Sequence, residues 1–212
     1  MRKAVALSAT LLLSLYAASA NALTTTITAG PTSNVAGTTN VDFGVSPINN
    51  STATTGALPS GYSGGALFNP STDGISGLAA RPVGSEDNFW SIGANVTGTV
   101  TFAAPVSYFG FLWGSPDPTP WNSVSFYNGD TLLGSYDNSV LGLNNNWSNT
   151  AYFNVFASTN EVITKVTFTA NQNSFETDNH AFITAVPEPE TYGMMLAGLG
   201  LMGFMVRRRS AR

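Results

Sequence analysis

Hydrophobic and polar positions alternate with the two-residue period of β-strands in several segments between residues 99 and 169. Their apolar positions are rich in β-branched and aromatic residues, which favour strands. The pattern therefore predicts five strands, at residues 99–102, 106–113, 123–127, 152–156 and 162–169.

Turn signals separate these segments at residues 104–105, 115–118, 128–130 and 171–173, and no convincing helical period occurs between them. Asn128-Gly129 predicts a hairpin, because both residues tolerate the positive φ of a type I′ turn. We expect an all-β fold, an antiparallel β-sandwich of jelly-roll type.

Residues 29–93 are less regular and dominated by Gly, Ser, Thr and Pro. Short strands are expected at residues 40–44 and 66–68, and the remainder is interpreted as long surface loops around one end or edge of the sandwich. The polar tract around residues 144–146 is expected to form another exposed loop.

The N-terminus has the pattern of a secretory signal. Arg2 and Lys3 precede an apolar stretch over residues 4–18, and small residues follow it. We therefore expect residues 1–22 to be a signal peptide, cleaved after Ala20 or Ala22, with the Sec translocon and signal peptidase as partners.

The C-terminus has three parts. Residues 186–190 form a Pro/Glu motif, residues 192–206 are fifteen uncharged residues, and a basic tail follows at residues 207–212. Fifteen helical residues rise about 22 Å, which is short against a hydrocarbon core of roughly 30 Å, so the predicted membrane helix is a marginal anchor. The basic tail is expected on the cytoplasmic side, which leaves the preceding chain outside the cytoplasm.

This ending resembles the PEP-CTERM sorting signal of Gram-negative bacteria. The resemblance rests on the motif Val186, Pro187, Glu188, Pro189 and Glu190, the short Gly/Leu/Met-rich helix, and the cluster Arg207, Arg208 and Arg209. It implies a membrane-embedded exosortase as partner, cleavage near the motif, and transient anchoring in the inner membrane before delivery to the cell surface or the exopolysaccharide matrix. A plain single-span anchor with a Pro-rich spacer is the alternative.

The two terminal segments leave one domain, residues 23–185, which is expected to be extracytoplasmic. Two basic residues against ten acidic ones give it a formal charge of −8. Nucleic-acid binding needs a basic surface, so this function class is excluded. The sequence has no cysteine, so the fold has no disulfide and the chain has no lipoprotein attachment site.

Three segments within residues 85–185 are similar to a family of exosortase-dependent surface proteins. They are residues 108–117, 121–129 and 174–179, and residues 118–120 lengthen the loop relative to that family. The resemblance implies a β-sandwich and a surface destination, and it implies no biochemical activity.

Residues 61–65 match the G-x-S-x-G pattern of hydrolases, with Ser63 as the nucleophile and His180 as the base. That motif needs a strand-to-helix turn, which an all-β domain does not supply, so we predict no catalytic residues and no enzyme activity. His180 is the only histidine, and it is expected to be partly buried at the start of the last strand.

Acidic residues near the C-terminal end of the domain are candidate calcium ligands, because Ca²⁺ prefers hard oxygen donors. Glu176, Asp178 and Asn179 form the cluster, and Asp117 or Asp73 would complete it from another loop. The alternative is that Asp178 and Asn179 cap a tight turn with their side-chain oxygens. We expect no cofactor other than a structural calcium ion at this cluster.

Two tryptophans in polar loops, Trp121 and Trp147, are candidates for stacking on sugar rings, whereas Trp113 ends an apolar strand and is expected in the core. The sequence thus predicts an exported, non-catalytic protein with a structural or adhesive role, in contact with exopolysaccharide. A carbohydrate-binding module, calcium-dependent or not, is the main alternative. A glycoside hydrolase and an ice-binding protein are further alternatives.

Overall fold

The computed structural model describes residues 23–41, 43–44, 58–69, 74–114, 117, 120–142, 150–186, 196–199 and 202. Almost all regular structure in these residues is antiparallel β-sheet, which confirms the all-β class. The strands are β1 (Leu23–Thr28), β2 (Thr39–Asn40), β3 (Tyr62–Ser63), β4 (Ala66–Phe68), β5 (Gly74–Ile75), β6 (Ala79–Ala80), β7 (Phe89–Ile92), β8 (Thr97–Trp113), β9 (Asn122–Asn128), β10 (Thr131–Asp137), β11 (Ala151–Ala157), β12 (Ile163–Ala170) and β13 (Phe175–Thr184), and one 3-10 helix spans Asn138–Leu141.

Strand β8 is the centre of the sheet, because its two halves pair with different strands. Its first half pairs with β12 and β3, and β9 and β10 extend that side in the order β8-β12-β9-β10. Its second half pairs with β11 and β13. From there β1 continues beyond β11, while β7 and β4 continue beyond β13.

The predicted break at residues 104–105 is wrong, because β8 runs without interruption through Pro105. The ladder with β12 is irregular at this point, since Val106 lies opposite Ile163 but Thr101 lies opposite Lys165. The carbonyl of Pro105 accepts a hydrogen bond from the Ala185 amide at 2.9 Å. A proline is tolerated in a strand at such an irregularity, where its missing amide hydrogen costs no regular ladder bond.

The predicted hairpin joins β9 and β10, but the turn differs by one residue. Asn128 pairs with Thr131 as the last residue of β9, so the loop is Gly129-Asp130. Gly129 has φ of 57°, whereas the positive φ values of described non-glycine residues fall at Asn95, Asn160 and Asn179. Gly129 therefore supplies the positive φ that the turn requires.

Aromatic side chains join the two halves of the sheet into one core. Phe168 of β12 lies 5.1 Å from Phe111 and 5.3 Å from Phe175, measured between ring centroids. Phe126 of β9 lies 6.4 Å from Phe109. All five are fully buried, so the strands beside the first half of β8 pack onto those beside its second half. The finer jelly-roll classification stays a prediction.

The segment 29–93 contains more buried structure than its composition indicates. The short strand predicted at residues 66–68 is present as β4, and the one predicted at residues 40–44 is reduced to β2. Strand β7 was not predicted, because all four of its residues are buried and it has no alternation. Trp90 in β7 is fully buried and donates from Nε1 to the carbonyl of Gly64 at 2.9 Å.

Several predicted features fall outside the described residues, namely the signal peptide at residues 1–22 and the loop at residues 144–146. Residues 196–199 and 202, within the predicted membrane helix, are helical and exposed. No helix in the described part of the chain has the length and apolar character needed to cross a membrane.

Candidate functional site

Strand β13 connects the two regions for which the sequence predicts function. Its first residues carry the acidic cluster, and the chain leaves its last residue, Thr184, toward the sorting motif. A strand of ten residues spans about 33 Å. The acidic residues and the departing tail therefore lie at opposite ends of this strand.

Asp117 and Glu176 line the same cavity, of about 300 Å³, together with residues of the β5–β6 hairpin. The Glu176 side chain is 2% exposed. Its Oε1 accepts a hydrogen bond from the Ala80 amide at 2.9 Å and another from the Ser174 hydroxyl. Glu176 thus ties β6 to the start of β13.

Asp117 is also held by protein groups. Its Oδ2 accepts from Asn122 Nδ2 at 2.8 Å, and its backbone carbonyl accepts from the side-chain amide of Asn138. Burial raises the pKa of Asp117 to about 6, and the hydrogen bond from Asn122 opposes that rise. The carboxyl group therefore gains a proton on mild acidification.

Asp178 and Asn179 line a different cavity, of about 440 Å³. They form an irregularity in the ladder between β13 and β8, where Asn179 has φ of 50°. Asp178 Oδ1 accepts from the Asn179 amide at 2.7 Å, and Asn179 Nδ2 donates to the Pro31 carbonyl at 2.9 Å. The Asp178 bond is local and has a side-chain oxygen accepting from a backbone amide, as in the turn alternative, whereas the Asn179 bond reaches a residue 148 positions away. Burial raises the pKa of Asp178 to about 6.

The candidate calcium ligands are consequently divided between two cavities, with Asp117 and Glu176 in one and Asp178 and Asn179 in the other. Asp73 lies outside the described residues. Within the described ranges, no group of three or more acidic or histidine side chains is placed to hold a metal ion. Calcium binding stays a prediction, for which the described residues supply one pair of ligands from different loops, Asp117 and Glu176, in the same cavity.

His180 lies inside the core, so its expected place at the start of a strand is wrong. It is fully buried in the middle of β13, and its ring stacks on Phe168 at 5.7 Å. Nδ1 is 2.8 Å from the Tyr62 hydroxyl, and Nε2 is 2.8 Å from Thr177 Oγ1. Burial lowers the pKa of His180 to about 3, so the ring is neutral near neutral pH.

Ser63 is exposed on β3, where it pairs with Thr99 of β8. The partner of His180 Nδ1 is the hydroxyl of Tyr62, the residue before Ser63, and burial raises the pKa of that hydroxyl. The sequence gives no local signal for the Tyr62–His180–Thr177 bonds, because Tyr62 is 118 residues from His180. Aromatic rings enclose His180, which is typical of a hydrogen-bond network that stabilises a fold.

The tryptophans take different positions. Trp113 is fully buried and stacks on Phe175 at 4.6 Å, in agreement with the predicted core position. Trp121 is half-buried at the bend before β9, and its carbonyl accepts from the Asn171 amide at 2.8 Å. Trp147 lies outside the described residues.

The tail leaves the domain at the far end of β13. The Ala185 amide donates to the Pro105 carbonyl, and the next residue, Val186, is 81% exposed. Pro187, Glu188, Pro189, Glu190 and the cluster Arg207, Arg208 and Arg209 lie outside the described residues. Up to Val186, where the described part of this segment ends, the last backbone hydrogen bond to the domain is therefore that of Ala185, directly before the Pro/Glu motif.

Comparison with known proteins identifies this tail. The family model of the PEP-CTERM protein-sorting motif matches residues 185–209. No curated protein and no solved structure matches the chain. The motif supports exosortase-dependent sorting of an exported protein with a C-terminal membrane-anchor region.

Proposed function

We propose that, because the chain carries a PEP-CTERM protein-sorting motif at residues 185–209, exosortase cleaves the chain near Pro187-Glu188-Pro189. Cleavage releases residues 23–185 to the cell surface or the exopolysaccharide matrix. Its role there is structural or adhesive. The inner membrane holds the chain only until cleavage, and the secretory machinery delivers it.

The observation that carries this proposal is the position of the motif relative to the fold. The motif begins at residue 185, one residue after β13 ends at Thr184. Val186 is exposed, and the two prolines that follow restrict their neighbours to extended backbone. A cut in this segment leaves all the strands described here, β1 to β13, intact.

The buried polar groups support a non-catalytic role. Both ring nitrogens of His180 are within hydrogen-bonding distance of protein hydroxyls, and its ring is enclosed by aromatic side chains. Asp178 and Glu176 accept bonds from backbone amides. These groups stabilise the fold. The domain would therefore interact with a partner through its surface.

Mass spectrometry of the protein from intact cells tests the sorting proposal. The expected C-terminus lies between Pro187 and Thr191. A matched variant with Pro187→Ala and Pro189→Ala should accumulate in the inner membrane with its tail attached, because the extended segment is lost. Recovery of an uncut wild-type chain ending at Arg212 would instead establish the plain-anchor alternative.

A carbohydrate-binding module is the second candidate function, favoured by the half-buried Trp121 at the bend before β9. Binding of purified exopolysaccharide, measured with and without EDTA, tests this module and its dependence on calcium. Release of sugar from the same polymer would favour a glycoside hydrolase, for which Asp117 and Glu176 supply two carboxyl groups in one cavity.

A further inference from the structure

Strands β3, β8, β12, β9 and β10 carry rows of hydroxyl groups on the side opposite to the core. Val100, Phe168 and Val124 point into the core, so the residues alternating with them point outward. The first row contains Ser63, Thr99, Thr167, Ser125 and Ser135, one from each strand in register.

A second row lies beside the first. It contains Thr97, Thr169 and Ser123, and it ends at Asp137 on β10. All residues of both rows are half-buried or exposed. We call the eight hydroxyl residues of these two rows the hydroxyl face.

Side-chain bonds hold parts of the hydroxyl face in order. Ser123 Oγ lies 2.7 Å from Thr169 Oγ1, and Ser125 Oγ donates to Ser135 Oγ at 2.9 Å. Neighbouring strands are about 4.8 Å apart, and successive outward residues of one strand are about 6.8 Å apart. The hydroxyl groups therefore form a regular array on rigid strands.

The hydroxyl face is almost without charge, although the domain is acidic. Asp137 at its outer edge is the charged residue of the two rows, and Lys165 lies in the next row, between Thr101 and Tyr127. A polyanion or a polycation would find no matching charge here. A polymer that offers neutral hydroxyl groups matches the face.

Aromatic residues border the hydroxyl groups along β9. The Trp121 carbonyl accepts from the Asn171 amide just beyond the last pair of the β9–β12 ladder, and Trp121 is two residues before the outward Ser123, so we place it next to the series Ser123, Ser125 and Tyr127. Trp121 and Tyr127 are six residues apart, or about 20 Å along the strand. Lys165 Nζ lies 4.7 Å from the Tyr127 ring centroid and fixes that ring by a cation–π contact.

We propose that the hydroxyl face, with Trp121 and Tyr127 at its ends, binds a neutral polysaccharide chain lying along β9. The aromatic rings would contact the apolar faces of sugars, and the serine and threonine hydroxyl groups would bond to sugar hydroxyl groups between them. This proposal rests on the proposed sorting function in one respect. Delivery to the cell surface or matrix brings the protein to the polysaccharide.

A single polymer chain fits this surface better than a crystal of ice. Adjacent strands of a sheet rotate by about 20–25° relative to one another, and the rotation accumulates across five strands. A crystal plane requires a flat array, whereas a polysaccharide can follow the twist of one strand.

The test uses the full chain purified in mild detergent. It measures binding to microcrystalline cellulose, dextran, anionic alginate and exopolysaccharide purified from the producing cells. Thr99→Val with Thr167→Val removes two hydroxyl groups while keeping β-branched side chains, and it should weaken binding to a neutral polymer about tenfold. Trp121→Ala should weaken it at least as much. Thr24→Val with Thr26→Val, at exposed positions on β1, is the matched control and should bind as the wild type.

Equal binding by the wild type and both face variants would overturn the proposal, as would binding to alginate alone or to none of the polymers. If the chain binds no polysaccharide but shapes growing ice crystals, the hydroxyl face binds ice and the proposal is overturned. If Trp121→Ala does not fold, Ser125→Arg replaces it, because the long arginine side chain in the centre of the face occupies the space of the polymer chain. A cleaved protein that binds no polysaccharide refutes this proposal alone, and an uncut chain that binds refutes the sorting proposal alone.

Discussion

Polar side chains serve opposite purposes in the interior and on the hydroxyl face. In the interior, His180, Glu176 and Asp178 bond to other protein groups, and all are nearly or fully inaccessible. On the hydroxyl face, Thr99 and Thr167 stand on regular strands and reach solvent. The titratable side chains of the interior are therefore bonded within the protein, and the serine and threonine hydroxyl groups of the hydroxyl face are accessible to solvent.

The strongest test of this contrast is His180→Ala. The change removes a buried ring and leaves the Tyr62 hydroxyl and Thr177 Oγ1 without their partner. Loss of packing and of two buried hydrogen bonds should lower the free energy of unfolding by about 4 kcal/mol. Denaturant unfolding measures it, with exposed Thr159→Ala as the control. A loss below about 1 kcal/mol would show that the network is not structural.

The dependence of stability on pH separates the buried groups from each other. His180 has a folded pKa of about 3, below its unfolded value of 6.5. The unfolded chain binds the extra proton between these values, so His180 makes the protein less stable as pH falls from 6.5 toward 3. Asp117 and Asp178 have folded pKa values of about 6, above the unfolded 3.8, so they make it more stable as pH falls from 6 toward 4.

Variants should reveal these opposing contributions. With Asp117→Asn and Asp178→Asn together, the remaining His180 should make thermal stability fall more steeply between pH 6 and pH 4 than in the wild type. Glu86→Gln with Asp130→Asn, at exposed positions with equal loss of charge, is the control. A wild-type pH profile retained in the double variant would mean that the two carboxyl groups titrate normally.

Strands that depend on local patterns are predictable from the sequence, and features that depend on contacts between residues distant along the chain are not. The alternation around Val124 and Phe126 in β9, and around Val166 and Phe168 in β12, is local, so the predicted bounds of those strands agree with the structure to one residue at each end. Strand β7 was missed because it is buried on both faces. The place of His180 depends on the irregularity at Asn179 and on Tyr62, 118 residues away, which no local pattern records.

In the candidate site, too, a local motif is predictable from the sequence, whereas contacts between distant residues are not. The tail motif is a contiguous pattern and was recognised from its residues, and the family model matches it at residues 185–209. Three of the four candidate calcium ligands are close in sequence, yet the four line two cavities, and the ladder between β13 and β8 is irregular between Asp178 and Ala181. The rows of the hydroxyl face are visible only when the register of five strands is known.

The smallest expected effect concerns stability on the hydroxyl face. Thr99→Val with Thr167→Val should change the free energy of unfolding by less than about 0.5 kcal/mol, because valine keeps the β-branched shape and the Ser123–Thr169 and Ser125–Ser135 bonds remain. Denaturant unfolding beside the wild type measures it. A loss of 2 kcal/mol or more would place these hydroxyl groups with the interior network as parts of the fold. Unchanged stability with weakened binding would separate the two regions, because the same substitution would then remove a partner's contacts without removing any of the protein's own.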